Sequence, residues 1–209
     1  MKKLLLFVFA SLVVSGIASA NIIPSLVGNP TLLGSGLYQW NYTAFVDGQE
    51  RLDPAASNGA TACQGAPCVP PGTFFTIYDF VGFQSVVGTP ANWTSSTQFT
   101  GITPQNTTPN PADNAAIINV SFTYTGPVVN GPFSTSGFNL TSLYGTQTQG
   151  AYTQQATNNT ASILNGQTDR GGGPIPVPLA TTGVPEPASM MLIGAGLVGL
   201  AAFRRKFVR

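Results

Sequence analysis

The chain contains 209 residues, with eight lysines and arginines, seven acids and no histidine, which gives a formal net charge of +1. The absence of histidine removes the commonest general base, the Ser-His-Asp and Cys-His arrangements and ordinary zinc sites. Between residues 21 and 187, two arginines stand against seven acids, a balance of −5. We therefore expect no nucleic-acid partner, because phosphate binding needs clustered Lys and Arg.

The N-terminal 20 residues have the three parts of a secretory signal peptide. Two lysines precede an apolar segment, residues 4–14, and an A-x-A cleavage site is formed by Ala18 and Ala20. The apolar segment is too short to remain in a membrane as a span. We expect the general secretion machinery and signal peptidase to process this end, with Asn21 as the first residue of the exported chain. The alternative is an uncleaved anchor.

Four stretches have the apolar patterning of β-strands. They are residues 37–46, 73–81, 115–124 and 137–144. The second is apolar on both faces, as in a central strand, and contains Asp79, which we expect to bond to backbone or to Arg51. The more polar stretches 92–102 and 151–164 predict edge strands or surface hairpins.

Turn clusters rich in Gly, Pro and Asn separate these stretches. No segment of residues 21–164 has the apolar period of a helix. Residues 21–164 are therefore predicted to form an all-β ectodomain, an antiparallel β-sandwich of jelly-roll-like kind. Residues 165–183, rich in Gly and then in Pro, predict a flexible linker.

Six N-x-S/T sequons occur in this region. They begin at Asn41, Asn92, Asn106, Asn119, Asn139 and Asn158. They either accept glycans or arise because residues two apart share the polar face of a strand. We favour the second interpretation, which places Asn41, Asn119 and Asn139 on solvent-facing sides of their strands.

Three acids, Asp47, Glu50 and Asp53, follow the first predicted strand. Oxygen ligands on such a loop suit calcium, but the spacing is not that of an EF-hand, and Arg51 competes as a partner. We expect a solvated turn, with calcium as the weaker alternative. Cys63 and Cys68 are the only cysteines, and an even count in an exported chain predicts a disulfide, worth about 2 kcal/mol for so small a loop.

Aromatic residues offer either a sugar-stacking platform or a core. This set contains Trp40, Trp93, Tyr38, Tyr42, Phe74 and Tyr152. Because Tyr38, Trp40 and Tyr42 alternate on one face of a predicted strand, we favour the core, with Trp93 as the exposed exception. A glycosidase would need two carboxylates in one cleft. The scarcity of acids makes that a poor fit.

The C-terminus has three parts. A motif with two prolines is followed by a 16-residue apolar segment, 188–203, and then by basic residues. The motif is Val184, Pro185, Glu186 and Pro187, and the basic residues are Arg204, Arg205, Lys206 and Arg209. As a helix the apolar segment is about 24 Å long, marginal against a hydrocarbon core of about 30 Å. The basic residues should stay cytoplasmic. The alternative is a simple tail anchor.

This order of parts resembles the PEP-CTERM sorting signal of Gram-negative bacteria. The resemblance implies that a membrane protease, exosortase, recognises the motif and releases the tail. It also implies an inner-membrane intermediate, then the cell surface, outer envelope or extracellular matrix, in an organism that makes extracellular polysaccharide.

We therefore expect a non-enzymatic surface or biofilm-matrix protein with exopolysaccharide as a partner. The alternative is a carbohydrate- or calcium-dependent binding module that is only tail-anchored. No cofactor is expected. Gly194, Gly196 and Gly199 match G-x-G-x-x-G, but no βαβ unit or later acid accompanies them.

Overall fold

The computed structural model describes residues 21–55 and 72–180, which form twelve β-strands and no helix. In chain order they are β1 (Ile22–Leu26), β2 (Thr31–Leu32), β3 (Tyr38–Val46), β4 (Glu50–Leu52), β5 (Phe74–Ile77), β6 (Phe83–Gly88), β7 (Trp93–Gln98), β8 (Asn119–Tyr124), β9 (Val129–Asn130), β10 (Phe133–Ser142), β11 (Gln147–Asn158) and β12 (Thr168–Pro178). All pairings are antiparallel, so the all-β prediction is confirmed.

The strands form two sheets. The first has the order β1-β3-β10-β6, with β2 also pairing with β3. The second has the order β7-β8-β5-β11-β4-β9, with β12 also pairing with β11. Within the described ranges, no helix is long and apolar enough to cross a membrane. The predicted signal peptide, the predicted membrane helix at 188–203 and both cysteines lie outside these ranges.

Alternating apolar residues of β3 face the second sheet, as predicted. Trp40, Tyr42, Ala44 and Val46 are all buried, while the residues between them are half-buried or exposed. The Tyr42 hydroxyl donates a 2.8 Å hydrogen bond to the Pro176 carbonyl of β12, so the polar end of this core residue is satisfied across the two sheets.

Phe138 of β10 is the central residue of the aromatic core. Its ring lies 4.9–5.1 Å, between centroids, from the rings of Phe75, Trp93 and Phe122, all three of which belong to the second sheet. The contacts are edge-to-face, the geometry that aromatic quadrupoles favour. The expected exposure of Trp93 is therefore wrong, since 6% of its surface is accessible.

A β-bulge at Gly137 directs Phe138 into this core. The register with β3 shifts between Ser136 and Phe138, so Phe133 and Phe138 both face inward although their numbers differ in parity. Gly137 has φ +105°, a conformation that suits glycine and strains other residues. Because of the bulge, β10 directs both Phe133, before the register shift, and Phe138, after it, into the core.

The outer face of the second sheet is covered by the segment between β7 and β8. The Tyr78 hydroxyl lies 3.0 Å from the Ile102 carbonyl and 2.8 Å from the Thr153 hydroxyl. Under this cover, Asn119 and Ser121 of β8 are fully buried. The expectation that Asn119 faces solvent is wrong because strand alternation says which side a residue takes, but not what covers that side.

The stretch 151–164, predicted as an edge strand or surface hairpin, and the linker predicted at 165–183 instead contribute to long paired strands. β11 is buried along most of its length and pairs with β5 and β4 on one side and with β12 on the other. The predicted linker, 165–183, forms β12 over Thr168–Pro178, with Ile175 and Val177 buried in the core.

Proline is compatible with β12 because of its spacing. Pro174, Pro176 and Pro178 alternate, so the positions that lack an N–H all fall on the edge that points away from β11. Antiparallel pairing with β11 runs unbroken from Thr168 to Pro178. The composition that suggested a flexible segment therefore gives a strand whose free edge has few donors for another strand.

Replacing Gly137 by alanine should destabilise the fold by about 1–2 kcal/mol, because the side chain strains the backbone of the bulge. Only Pro90, at 3.7 Å, lies near the added carbon, so crowding does not contribute. Chemical unfolding followed by tryptophan fluorescence measures this, with Gly34→Ala as the control, since Gly34 has open space and no positive φ. Equal stability of the two variants would contradict the role of the bulge.

Candidate functional site

The sorting motif at Val184–Pro187 lies outside the described residues, but the structure shows where the chain leaves the fold. The amide of Leu179, the residue after β12, donates a 2.8 Å hydrogen bond to the Thr146 carbonyl, and Ala180 is exposed. Only residues 181–183 separate Ala180 from the motif. The motif is therefore close in sequence to a folded strand, not at the end of a long linker.

Two of the three acids suggested for calcium are committed to local structure. The Asp47 carboxylate accepts a 2.9 Å hydrogen bond from the Gln49 amide and caps the turn before β4. Asp53 forms a 3.0 Å ion pair with Arg51 and also accepts a bond from the Ala55 amide. Arg51 is thus the internal partner that the sequence indicated.

Glu50, the third acid, has a different environment. Along β4, Glu50 and Leu52 face the interior while Arg51 lies on the opposite side, as strand alternation requires. Glu50 is fully buried, and none of the described donor groups lies within hydrogen-bonding distance of its carboxylate oxygens; a bond to the Asp169 carboxyl forms only when one of the two groups carries a proton. Burial raises the pKa of Glu50 to about 8, and the negative charges of Asp169 and Asp47 add to the rise, which Arg51 opposes.

The three acids therefore do not converge on one point. Among residues 21–55 and 72–180, no group of three or more acidic, histidine or cysteine side chains could hold a metal ion. The burial of Glu50 is the feature that sequence reasoning missed. Its signal was the spacing to Leu52, because two residues apart on a strand share a face.

Asp79 and Asp113 fasten the segment that covers the second sheet. The buried Asn119 side chain donates to the Asp113 carboxylate at 2.9 Å and accepts from the Asp79 amide at 2.8 Å. Asp113 also accepts from the Gly101 amide, and Asp79 from the Asn114 amide. Asp79 therefore bonds to backbone and not to Arg51, and burial raises its pKa, with Asp113 adding to the rise.

The other candidate positions separate into buried and accessible ones. Asn119 and Asn158 are buried, Asn41 and Asn139 are half-buried, and Asn92 and Asn106 are exposed.

The aromatic residues considered for sugar stacking are core residues. Trp40, Trp93, Tyr42, Phe74 and Tyr152 are buried, and Tyr38 packs against the core.

Residues 183–206 match the sequence model of the PEP-CTERM protein-sorting motif. The chain carries a PEP-CTERM sorting signal. The match includes the predicted motif at Val184–Pro187, the apolar segment and the first basic residues after it. The PEP-CTERM motif supports sorting by an exosortase system, with processing by an exosortase-like membrane protein, and implies export to the cell surface or beyond.

No curated protein and no solved structure matches the chain. The PEP-CTERM match covers only the C-terminal 24 residues, 183–206, so it describes the destination of the protein and not the activity of residues 21–180.

Replacing Asn119 by aspartate should destabilise the fold by roughly 2–3 kcal/mol at pH 7, because it places a third carboxylate beside Asp79 and Asp113 and removes two donated bonds. The new carboxyl would have a raised pKa in the folded state, so stability should recover as the pH falls. The control is Asn139→Asp in the first sheet, whose strands contain no acid. Denaturant titrations at pH 7 and pH 4 measure both, and an equal loss in the two variants would contradict the network.

Proposed function

We propose that this chain is an exported, non-enzymatic protein of the cell surface or extracellular matrix, sorted by an exosortase-like system and associated with exopolysaccharide or biofilm. The observation that carries the proposal is the PEP-CTERM match at residues 183–206. The residues before it contribute a compact exported body, which we propose to be a jelly-roll-like β-sandwich.

The proposed route divides the chain by role. Residues 1–20 deliver it to the exporter, and residues 188–203 halt it in the membrane with the basic residues on the cytoplasmic side. From the sequence we expect Pro185 and Pro187 to favour an extended recognition segment, because proline lacks an amide donor and disfavours helix in the residue before it. An extended segment is the form that a protease cleft accepts.

The short connection between body and motif adds a requirement. Four residues of extended chain, from Ala180 to Val184, span at most about 14 Å. An exosortase-like enzyme must therefore accept a substrate whose folded strand ends within that contour length of the motif. This requirement applies when residues 21–180 fold before the tail is released.

The surface chemistry supports a neutral matrix partner. No strand of the first sheet carries a charged residue, and its outward-facing positions are mainly Ser, Thr, Asn and Gln. Thr43 and Ser136, for example, are hydroxyl neighbours on adjacent strands, 3.2 Å apart. Hydroxyl and amide groups are suitable partners for the hydroxyls of an uncharged polysaccharide. The alternative binding module loses its main support, because the proposed stacking aromatics are in the core.

Replacing Pro185, Glu186 and Pro187 together by alanine should block release of the tail in the native host. The protein should then retain Arg209 and accumulate in the inner membrane, because the recognition segment has lost its charge and its extended bias. Intact mass and C-terminal sequencing of the membrane and surface fractions measure this outcome.

The matched control is Thr181→Ala with Thr182→Ala, which changes the same stretch of chain outside the residues matched by the motif. The control should be processed normally. A wild-type surface protein that still ends at Arg209 would contradict sorting by cleavage and leave a plain tail anchor.

A further inference from the structure

The buried polar atoms that lack a hydrogen bond are concentrated at one end of the core. Within the described ranges there are three: both carboxylate oxygens of Glu50 and the amide oxygen of Gln154. All three are acceptors, and both side chains are fully buried. Buried acceptors without donors are costly, and a buried carboxylate without a cation more so. Among the described residues, no donor reaches these three oxygens, and none that carries a positive charge.

The position of Asp169 strengthens this requirement. Asp169 pairs with Ala156 across β11 and β12 and so shares the core-facing side of the sheet. It lies close enough to Glu50 for its charge to favour protonated Glu50. Two carboxyl groups can bond each other only when one carries a proton, so the pair needs either a proton or a cation.

No basic side chain in the described ranges is available for this role. Those ranges contain no lysine or histidine and two arginines. Arg51 pairs with Asp53, and Arg170 donates a 3.2 Å hydrogen bond to Gln155. Both arginines occupy positions of their strands that alternate with the core-facing ones.

Asn21 brings the start of the predicted exported chain to this same end. Its carbonyl accepts a hydrogen bond from the Asp47 amide at 3.2 Å, and its side-chain oxygen accepts one from Gln154 at 2.9 Å. That oxygen also lies 2.7 Å from the point where a Cβ of Gly171 would be, and Gly171 is two residues from Asp169 along β12. A side chain at position 171 would crowd this oxygen, and the Asn21 side chain would have to shift.

We propose that removal of residues 1–20 creates an α-ammonium group on Asn21 that binds Glu50 and Asp169 and completes this end of the core. An ammonium carries one positive charge and three N–H donors, which matches two carboxyl groups and the free amide oxygen of Gln154. The site thus takes the chain's own new N-terminus as its ligand. Signal-peptide cleavage then stabilises the exported fold as well as releasing it.

The test is a double-mutant cycle of four proteins: the parent, each of two single changes, and their combination. All four are expressed from the full-length gene and exported by the cell. One change inserts a glycine between Ala20 and Asn21, which preserves the cleavage site and moves the ammonium by one residue. The other is Glu50→Gln, which keeps the size of the side chain and removes its charge. N-terminal sequencing establishes that the parent chain begins at Asn21 and the inserted chain at the added glycine.

The buried tryptophans Trp40 and Trp93 report unfolding by denaturant for all four proteins, tail included, in detergent. The inserted glycine should lower the folding equilibrium constant about tenfold at pH 7 in the parent, since a buried ion pair is broken. It should have little effect in the Glu50→Gln chain, because the carboxylate that needs the ammonium is gone.

The pH profile separates this role from simple packing. In the inserted chain, Glu50 has its folded pKa near 8 against an ordinary 4.5, so the folded state binds the extra proton and stability should fall as pH rises between those values. The charged neighbours are Asp47 on the turn, Asp169 on β12 and Arg51 on β4. The parent, with its ammonium in place, and both Glu50→Gln proteins should be nearly flat up to pH 7.

Additive effects of the two changes, or identical pH profiles with and without the glycine, would overturn the proposal. A parent chain that does not begin at Asn21 would overturn it too. Restoration of the inserted chain by millimolar calcium would assign the site to a metal ion and likewise reject the N-terminal ammonium. Retention or loss of the C-terminal tail is measured separately and does not affect these readings.

Discussion

The fold depends on the insertion of Phe138 from the first sheet among Phe75, Trp93 and Phe122 of the second. Polar links such as the Tyr42–Pro176 bond also join the two sheets, but the aromatic cluster supplies the tightly packed apolar contact between them. The insertion in turn depends on the bulge at Gly137. One glycine conformation therefore determines how two large surfaces meet.

Most of the few charged side chains of the exported body lie away from that interface and hold loop segments in place through hydrogen bonds and an ion pair. Asp53 pairs with Arg51, and its backbone bonds to Thr73 at the other end of the segment that joins β4 to β5. Asp113 with Asn119 holds the cover of the second sheet. Glu50 and Asp169 are the exceptions, charge-bearing groups on the inner side of their strands without a matching base among the described residues. In a chain this poor in ionisable groups, such an exception points to a partner that arises after synthesis.

The sequence predicted the elements in which alternation and burial agree. β3 has apolar and polar faces that remain so in the structure, and β5 is apolar on both faces and is central. β11 was misjudged because Thr153, Gln154 and Gln155 are polar and yet buried, which becomes favourable only with hydrogen bonds supplied by distant residues. β12 could not be predicted from composition, because composition does not show that its prolines alternate and so leave the edge that pairs with β11 intact. The sorting signal is a linear motif and could be read directly, whereas the buried Glu50 site requires four strands to meet.

β12 is also the last strand before the tail, which gives its pairing a mechanical meaning. A pull on the C-terminus enters the body at Pro178 and runs along the strand axis. When the opposing force acts on β11 through its other neighbours, β5 and β4, the ladder that joins β12 to β11 over eleven residues is loaded in shear, with its hydrogen bonds sharing the force. A ladder loaded in this way resists far more force than one opened bond by bond, so β12 can bear a pull on the C-terminus without being peeled from the sheet.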